Sequence, residues 1–312
     1  MLRPFFSLIF ILIALAGCTR TPPTVISEAR RITQNRQVGS FNQIVVEGTM
    51  NVSLHTGYKQ PRVILHGDVR DLQQVITEVR DNGSLFVHAG KGYPRYGNLS
   101  VDIRSRYLNS FTFTGSGTIK GARLQSGALE LSIDNPGQTT LGGSLVLRKL
   151  QVSGGGNVHI TGITSQYLQL SISDRTKVQL VGVMNLSKLN LAGDGLLSMY
   201  WVKSNSLTVC GKGRAFMQLA GIVDKLDVEL WDNSHFYGRY LRAKRAFVKT
   251  YDRSIAEISA VKHQHTLATD ASDIYFYKIP DTKADFMAYE GSVLDMREWD
   301  RYAMRDYDRY NK

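Results

Sequence analysis

The stretch LQVSGGGNVHI at residues 150–160 contains the unit that decides the fold. Two apolar residues one position apart precede a polar residue and a glycine turn, and a second alternating pair follows. The stretches LSISDRTKVQL (170–180) and LNLAGDGLLSM (189–199) repeat this pattern. Turn anchors recur at positions 115, 135, 154, 174, 193, 211, 232, 252, 271 and 291, with steps of 18 to 21 residues. A short period with internal alternation predicts a solenoid.

Apolar and polar residues alternate within each unit with the period of a strand, because successive side chains of a strand point to opposite faces. The pattern predicts an all-β fold, a right-handed parallel β-helix with about ten or more rungs of ~19–20 residues. Inward side chains are expected in pairs before each anchor: Phe111/Phe113, Leu131/Ile133, Leu150/Val152, Leu170/Ile172, Leu189/Leu191, Leu207/Val209, Val228/Leu230, Val248/Thr250, Leu267/Thr269 and Met287/Tyr289. Further inward pairs, such as Val158/Ile160, Val178/Leu180 and Tyr275/Tyr277, are expected after the anchors.

Residues 1–17 have the pattern of a lipoprotein signal peptide, with Arg3, an apolar run and small residues before a cysteine. Leu15-Ala16-Gly17-Cys18 is similar to a bacterial lipobox, and this similarity implies cleavage before Cys18 and acylation of that residue. Thr19 after the cysteine implies the outer membrane, by resemblance to Gram-negative lipoproteins. The alternatives are an ordinary signal peptide or a short membrane helix, and the apolar run is short for a span.

The mature chain is predicted to contain one elongated domain. Residues 18–37 are polar and are expected to form a flexible tether. Residues 38–296 are assigned to the β-helix, of which 38–107 form irregular N-terminal rungs that cap one end. Within them, residues 71–80 fit a short helix or a strand, and Asn82-Gly83 predicts a hairpin turn. Residues 297–312 are expected to form a short capping helix over the last rung.

The N-terminal part also resembles a known family. Phe41 and Ile44 with Val46, Gly48 and Val52, then Gly67-Asp68, Asn82-Gly83 and Phe113-Thr-Gly-Ser-Gly117, occur in the order found in the head GIN domain family of auto-transporter adhesins. The resemblance covers roughly residues 38–260. It implies a secreted or lipid-anchored β-helical domain with an adhesive role, and it brings no catalytic residues. The basic charge and the aromatic C-terminal rungs depart from the family pattern.

Charge and motifs exclude several classes of function. The net charge is +11, which favours anionic partners near a membrane, such as lipopolysaccharide or acidic glycans. The sequence contains no nucleic-acid-binding module and no motif of a serine hydrolase, a zinc protease or a P-loop. We therefore expect no specific nucleic-acid ligand, no cofactor and no catalytic residue. A β-helical polysaccharide lyase stays as the enzymatic alternative, with the acidic anchor column as its site.

Three candidate metal or thiol sites have simpler explanations. Asp174, Asp232 and Asp252 lie in the anchor column and would fit Ca²⁺, but aspartate is also a common turn residue. His263 and His265 share one face of a strand without a third ligand beside them. Cys210 is the second of two cysteines and is predicted to face outward as a small filling residue. No metal site is therefore assigned.

The best candidate site is a change of outward residues along the solenoid. Outward positions are small and polar in the early rungs, whereas Trp231 and Tyr251 stand beside the anchors of the late rungs. Phe216, Tyr237 and Phe276 are expected at outward positions after the anchors, with Arg239 next to Tyr237. Aromatic rings interleaved with cations are typical of glycan and protein interfaces. The alternatives are that the C-terminal tail covers these residues, or that some of them belong to the core.

These observations favour a lipid-anchored envelope protein that acts as a non-catalytic binding or adhesion module. Its expected ligand is an anionic glycan, lipopolysaccharide or a protein partner. The alternatives are a structural envelope protein without a ligand and the lyase-like enzyme.

Overall fold

A computed structural model describes residues 30–277 and 283–296. It is a β-solenoid of about nine turns, with 73% strand and 2% helix, which confirms the predicted all-β solenoid with slightly fewer turns than expected. The elements in chain order are β1 (Arg31–Gln37), β2 (Gln43–Thr49), β3 (Asn51–His55), β4 (Arg62–Asp68), α1 (Val69–Leu72), β5 (Val75–Val79), β6 (Ser84–Ala89), β7 (Ser100–Arg104), β8 (Ser110–Ser116), β9 (Ile119–Asp134), β10 (Gln138–Ser153), β11 (Asn157–Ile172), β12 (Lys177–Leu191), β13 (Leu196–Gly211), β14 (Phe216–Leu230), β15 (His235–Thr250), β16 (Ile255–Thr269), β17 (Asp273–Tyr277), β18 (Lys283–Tyr289) and β19 (Ser292–Asp295).

The rungs are long strands that pair in parallel with the next strand along the chain. From β9 to β16 each strand has 15 or 16 residues and pairs with its neighbours in register, apart from local register shifts within the strands. Equivalent residues therefore form columns along the solenoid, such as Leu150, Leu170 and Leu189. The inward columns form one continuous apolar core, because a single rung cannot bury its apolar face alone.

Burial shows that each rung bends. In β14 the alternation of buried and exposed side chains is interrupted at residues 220–222 and again at 224–225. Each rung therefore has three short faces. We call the tight turn between strands (231–234 in one rung) the first corner, the bend at 220–222 the second corner, and the bend at 224–225 the third corner.

The predicted inward pairs are confirmed over most of the solenoid. Every pair from Phe111/Phe113 to Val228/Leu230 is buried, and so is Val248/Thr250. The inward pairs after the anchors, Val158/Ile160 and Val178/Leu180, are buried as well.

The prediction is wrong for the last rungs, where the pattern is displaced by one residue. In the last part of β16, before the corner, Thr266 and Ala268 are the buried pair. They pair with Val248 and Thr250 of the preceding rung. Leu267 is instead outward beside Lys249. The reason is that register with the preceding rung, and not the higher hydrophobicity of Leu267, decides which residues point inward.

The same displacement continues after the corner. Ile274 and Phe276 are buried, whereas the predicted pair Tyr275/Tyr277 is partly exposed. In β18 the predicted inward pair is also wrong, since Met287 and Tyr289 are 66% and 71% exposed.

The first corner has a recurring sequence, x-Asp-x-Ser/Thr. Asp174, Asp232, Asp252 and Asp270 all have φ between 58° and 62°, a left-handed conformation that aspartate tolerates better than most residues. Two positions later a buried hydroxyl group donates a hydrogen bond to the carbonyl three residues before it, at 2.6–2.8 Å. The turn residue after β16 is therefore Asp270, and not the predicted anchor at position 271.

The aspartates also join one rung to the previous one. The Asp252 carboxylate accepts a hydrogen bond from the backbone N–H of Asp232 (3.0 Å), and Asp232 does the same for Gly213 (2.8 Å). Asp174 and Asp270 make equivalent bonds to Gly154 and Asp252. These bonds satisfy backbone donors that the tight turn leaves without a strand partner.

Antiparallel strands close the N-terminal end. The strand β1 pairs antiparallel with β4, and β5 pairs antiparallel with β6. Residues Arg31–Gln37, expected in the tether, therefore belong to the fold. Residues 71–80 contain both predicted alternatives, the end of α1 and the strand β5, and Gly83 (φ 75°) lies in the predicted hairpin turn. The remaining tether and the predicted capping helix lie outside the described residues.

We predict that Asp252→Ala destabilises the solenoid by ~1–2 kcal/mol, because the variant loses the hydrogen bond to Asp232 and keeps a left-handed backbone. Asp252→Asn should lose less, since its amide oxygen still accepts the bond and asparagine tolerates this conformation. The measurement is the free energy of unfolding in urea, with Asp224→Ala at the exposed third corner as the control. Equal losses for the alanine and asparagine variants would contradict this role.

Candidate ligand-binding site

Trp231 and Tyr251 occupy the same position of the first corner on consecutive rungs. Their rings are stacked with centroids 3.9 Å apart and planes inclined by 12°. Each residue directly precedes the left-handed aspartate of its turn, so the conformation of the corner sets its direction. The structure thus brings together the two aromatic residues that the sequence singled out.

The two rings lie face to face along the solenoid axis, and we call this stacked pair the ladder. The ladder therefore presents ring edges, with the indole N–H and the phenol O–H as polar groups. The ammonium group of Lys212, one rung earlier, lies 5.9 Å from the centroid of the Trp231 ring, and this distance is within the range of a cation–π contact.

Charged residues continue the first corner over the earlier rungs. The Arg214 guanidinium donates two hydrogen bonds to the Asp194 carboxylate, at 2.6 and 2.9 Å. The hydrogen bond from Arg214 lowers the pKa of Asp194, and the nearby charge of Arg175 acts in the same direction. A shallow depression lies beside this group, between Asp174 and Asp194, where glycines leave the corner without side chains.

A second aromatic cluster begins on the strand that follows the corner. Phe216 and His235 are neighbours on consecutive rungs and meet edge to face, with ring centroids 5.3 Å apart. Tyr237 lies two residues after His235, and its ring is 5.9 Å from that of Tyr240. Of the predicted residues, Phe216 and Tyr237 therefore lie in this cluster and Trp231 and Tyr251 in the ladder, on either side of one corner.

Glu257 organises the second cluster from the next rung. Its carboxylate lies 3.3 Å from Nε2 of His235, and its charge acts on the Tyr277 hydroxyl of the following rung. Burial raises the pKa of Tyr277 to about 12, and the negative charge of Glu257 adds to the increase. Burial also raises the pKa of Tyr237. These phenol groups are hydrogen-bond donors at neutral pH.

The predicted cation Arg239 belongs to this cluster. Its guanidinium carbon lies 4.4 Å from the centroid of the Tyr277 ring and 5.9 Å from that of Tyr240. Ser259, which pairs with Tyr277, lies on the rung between the two residues. Its side chain is small and buried, so it does not separate Arg239 from the Tyr277 ring. Arg239 is therefore a stacked member of the cluster.

The prediction is wrong for Phe276. Its side chain is only 4% exposed and belongs to the core, so it does not reach a ligand at the surface. Phe276 was assigned to an outward column because the sequence pattern placed the corner after β16 at position 271, whereas the turn residue is Asp270. The same error hid Tyr277, which a count from Asp270 would have shown on the outward face.

The other candidates have structural explanations. The corner aspartates accept hydrogen bonds from backbone N–H groups. Within residues 30–277 and 283–296, no group of three or more His, Cys, Asp or Glu side chains could hold a metal ion. His265 lies 3.2 Å from Asp285 and stacks on Phe247, whereas His263 lies between Arg245 and Lys283. Cys210 is a free thiol in an outward column beside Asn190 and Glu229. None of the described helices is long and apolar enough to cross a membrane.

Comparison with family models identifies the chain. Residues 40–230, more than half of the sequence, match the model described as "Putative auto-transporter adhesin, head GIN domain". The chain belongs to this family. The head GIN domain therefore covers the N-terminal cap and the solenoid through β14, and the match ends next to Trp231.

Solved structures similar to this GIN-domain chain include bacterial proteins of low sequence identity. A "putative adhesin" from Parabacteroides distasonis has 14% identity and a TM-score of 0.47, and one from Parabacteroides merdae has 14% identity and a TM-score of 0.45. A "putative lipid binding protein" from Parabacteroides distasonis has 13% identity and a TM-score of 0.42. Each match covers 86% of this chain and 97% of the other. No curated protein matches the chain.

We predict that Glu257→Gln lowers the pKa of Tyr277 below its value of about 12, because the neutral amide removes the negative charge beside the phenol. The measurement is the phenolate absorbance during an alkaline titration, taken as the difference from the same protein carrying Tyr277→Phe. Asp273→Asn is the control. It removes the carboxylate beside Tyr275 and should leave the pKa of Tyr277 unchanged. An unchanged Tyr277 titration in Glu257→Gln would show that Glu257 is not its partner.

Proposed function

We propose that the chain is a lipid-anchored, non-catalytic binding module of the bacterial cell envelope, and that its ligand is an anionic glycan, free or as part of lipopolysaccharide. The adhesin description of the family supports a binding role in or on the envelope. The stacked ladder of Trp231 and Tyr251 carries the proposal, because it is a pair of partly exposed aromatic rings on a rigid corner.

The ladder fits sugar in two ways. The column continues from Tyr251 to Thr269 on the next rung, whose smaller side chain leaves room for a sugar ring against the outer face of Tyr251. The indole N–H and the phenol O–H at the ring edges can bond to sugar hydroxyl groups. A glycan that runs along the corner would contact one residue per rung, about 5 Å apart.

Cations surround the ladder. Lys212 lies next to Trp231, Arg253 follows Tyr251 in its turn, and Lys249 precedes it; all three are exposed. An acidic sugar would therefore find positive charge on both sides of the aromatic rings, which favours anionic over neutral glycans. Arg239, Tyr237 and Phe216 extend the same surface across the corner.

The test of the site is the affinity for a uronate polysaccharide and for lipopolysaccharide. We predict that Trp231→Ala/Tyr251→Ala weakens binding about tenfold or more, a loss of ~1–2 kcal/mol. Ser132→Ala/Ser171→Ala, at outward positions of early rungs, should leave the affinity unchanged. Both variants are first compared with the parent by circular dichroism and urea unfolding. If the aromatic variant folds and binds as tightly as the parent, the ladder is not the site. A protein without affinity for any glycan would support a purely structural role.

The proposed anchor is the lipid on Cys18, and the proposed location is the outer membrane. We predict that a metabolically supplied palmitate analogue labels the full chain and that Cys18→Ala abolishes the label, because the lipobox cysteine is the acceptor. Cys210→Ala is the matched control and should be labelled like the parent, since Cys210 lies within the strand β13 and not in a lipobox. Equal labelling of parent and Cys18→Ala would exclude the anchor.

A further inference from the structure

The second corner carries a cluster of exposed apolar side chains. Val183, Trp201 and Ile222 are 61%, 75% and 61% exposed, and Val181 and Tyr200 beside them are each 43% exposed. They lie on the three consecutive strands β12, β13 and β14. The same corner is Gly142-Gly143 in β10 and Thr161-Gly162 in β11, so the apolar cluster begins at β12; on β15 the corner carries Arg239 and Tyr240.

Register places these side chains together. Leu180 and Met199 pair before the corner, and Met184 and Val202 pair after it. The three residues between the pairs in β12 are therefore opposite Tyr200 and Trp201 of β13. On the other side, Val202 pairs with Gly221, directly before Ile222.

Trp201 has an unusual backbone conformation. Its φ is +66°, a region that a bulky residue enters rarely and at a cost in free energy. At the same bend the strands before and after it carry glycines, Gly182 and Gly221, with positive φ. A bulky indole that is 75% exposed in a position suited to glycine is not held there by core packing, and this points to contact with something outside the chain.

Cations surround the apolar cluster. Lys203 pairs with Ile222, and Ile222 pairs with Arg242, so an aliphatic side chain lies between two cations in one column. The third corner adds Lys225 and, on the next rung, Lys244 and Arg245. Within the described parts of the chain, Lys203, Arg242 and Lys244 form no ion pair. Asp224 is the acidic neighbour of Lys225.

We propose that the second corner of β12–β14 docks on the surface of an anionic lipid bilayer, with Trp201, Val183 and Ile222 inserted among the headgroups. Tryptophan and aliphatic side chains on one side, with lysine and arginine around them, are the chemistry of interfacial membrane binding. Each cation near an anionic surface adds to the attraction. The corner protrudes, so it fits a surface better than it encloses a small molecule.

The proposal rests on the envelope location proposed above, but not on the glycan site. Cys18 and Arg30 are 12 positions apart in the sequence, and a chain of that length spans at most roughly 40 Å when extended. Arg30 directly precedes β1, and β13 is eight strand pairings from β1, or about 38 Å. The tether is therefore long enough for the solenoid to lie along the membrane on its second corner. In that orientation the first corner, with Trp231, stays available for a ligand.

The test compares two tryptophans of the full chain. Single-tryptophan variants keep either Trp201 (Trp231→Phe/Trp299→Phe) or Trp231 (Trp201→Phe/Trp299→Phe). Each is reconstituted with phosphatidylcholine vesicles or with vesicles of phosphatidylcholine and phosphatidylglycerol, both containing brominated acyl chains. Bromine quenches indole fluorescence at short range. We expect Trp201 to be quenched several-fold more than Trp231, and more strongly in the anionic vesicles.

Charge is tested in the Trp201 protein. Lys203→Glu/Arg242→Glu should remove most of the quenching, whereas Lys120→Glu/Lys177→Glu makes the same change of charge on other parts of the surface and should keep it. Equal quenching of Trp201 and Trp231, or no quenching of Trp201 in either vesicle, would overturn the proposal and would indicate a protein or glycan partner for this corner. Flotation with the neutral vesicles reports the Cys18 anchor separately, so a missing anchor and a missing docking contact give different results.

Discussion

The register between successive rungs is the constraint on which the rest of the structure depends. Parallel pairing places equivalent residues one above another, and the first corner resets the chain at the same point on each turn. The left-handed aspartate fits the turn, and its carboxylate bonds to the backbone of the previous rung. The buried hydroxyl group of the same turn is itself satisfied, because it donates to the carbonyl of the residue before the aspartate. The short sequence x-Asp-x-Ser/Thr therefore both forms the turn and joins it to the previous rung.

The parallel register stacks the outward side chains into columns, as it does the inward ones. The stacked rings of Trp231 and Tyr251 and the alternation of Lys203, Ile222 and Arg242 are outward columns of the same kind as the core. Because the inward residues hold the fold, outward residues are free to change from rung to rung. The early rungs carry small polar residues there, and the late rungs carry aromatic and cationic ones. The two proposed surfaces thus lie on different edges of one rigid scaffold.

The sequence predicted the parts of the fold that follow from periodicity. Pairs such as Leu170/Ile172 are apolar, spaced by two and followed by a turn residue, and those from Phe111/Phe113 to Val228/Leu230 are buried. The prediction failed where these signals disagree: Leu267 is more apolar than Thr266 and Ala268, but register places the latter two inside. The corner motif identifies Asp270 as the turn residue and would have corrected both this pair and Phe276.

The candidate site was predicted in part, for a related reason. Trp231 and Tyr251 stand at a fixed distance from their anchors, so their contact follows from the repeat length. The face-to-face orientation of the rings does not follow from it, because it depends on side-chain rotamers. Trp201 and Ile222 were missed because a bend interrupts the alternation, and a period of two gives no information there. The group of Glu257, His235 and Tyr277 depends on contacts across three rungs, which a single repeat does not show.

The N-terminal cap has a consequence for how the chain folds. Rungs from β9 onward pair with neighbours about one repeat away in sequence, so they can form one after another. The first rung is different, because Gln43 pairs with Ser110, 67 residues later. Closing that longer loop costs about 1 kcal/mol more conformational entropy than adding one repeat. We therefore expect the middle of the solenoid to assemble before its N-terminal end. Until the cap closes, β8 and β9 would present an unpaired edge to a second copy of the chain.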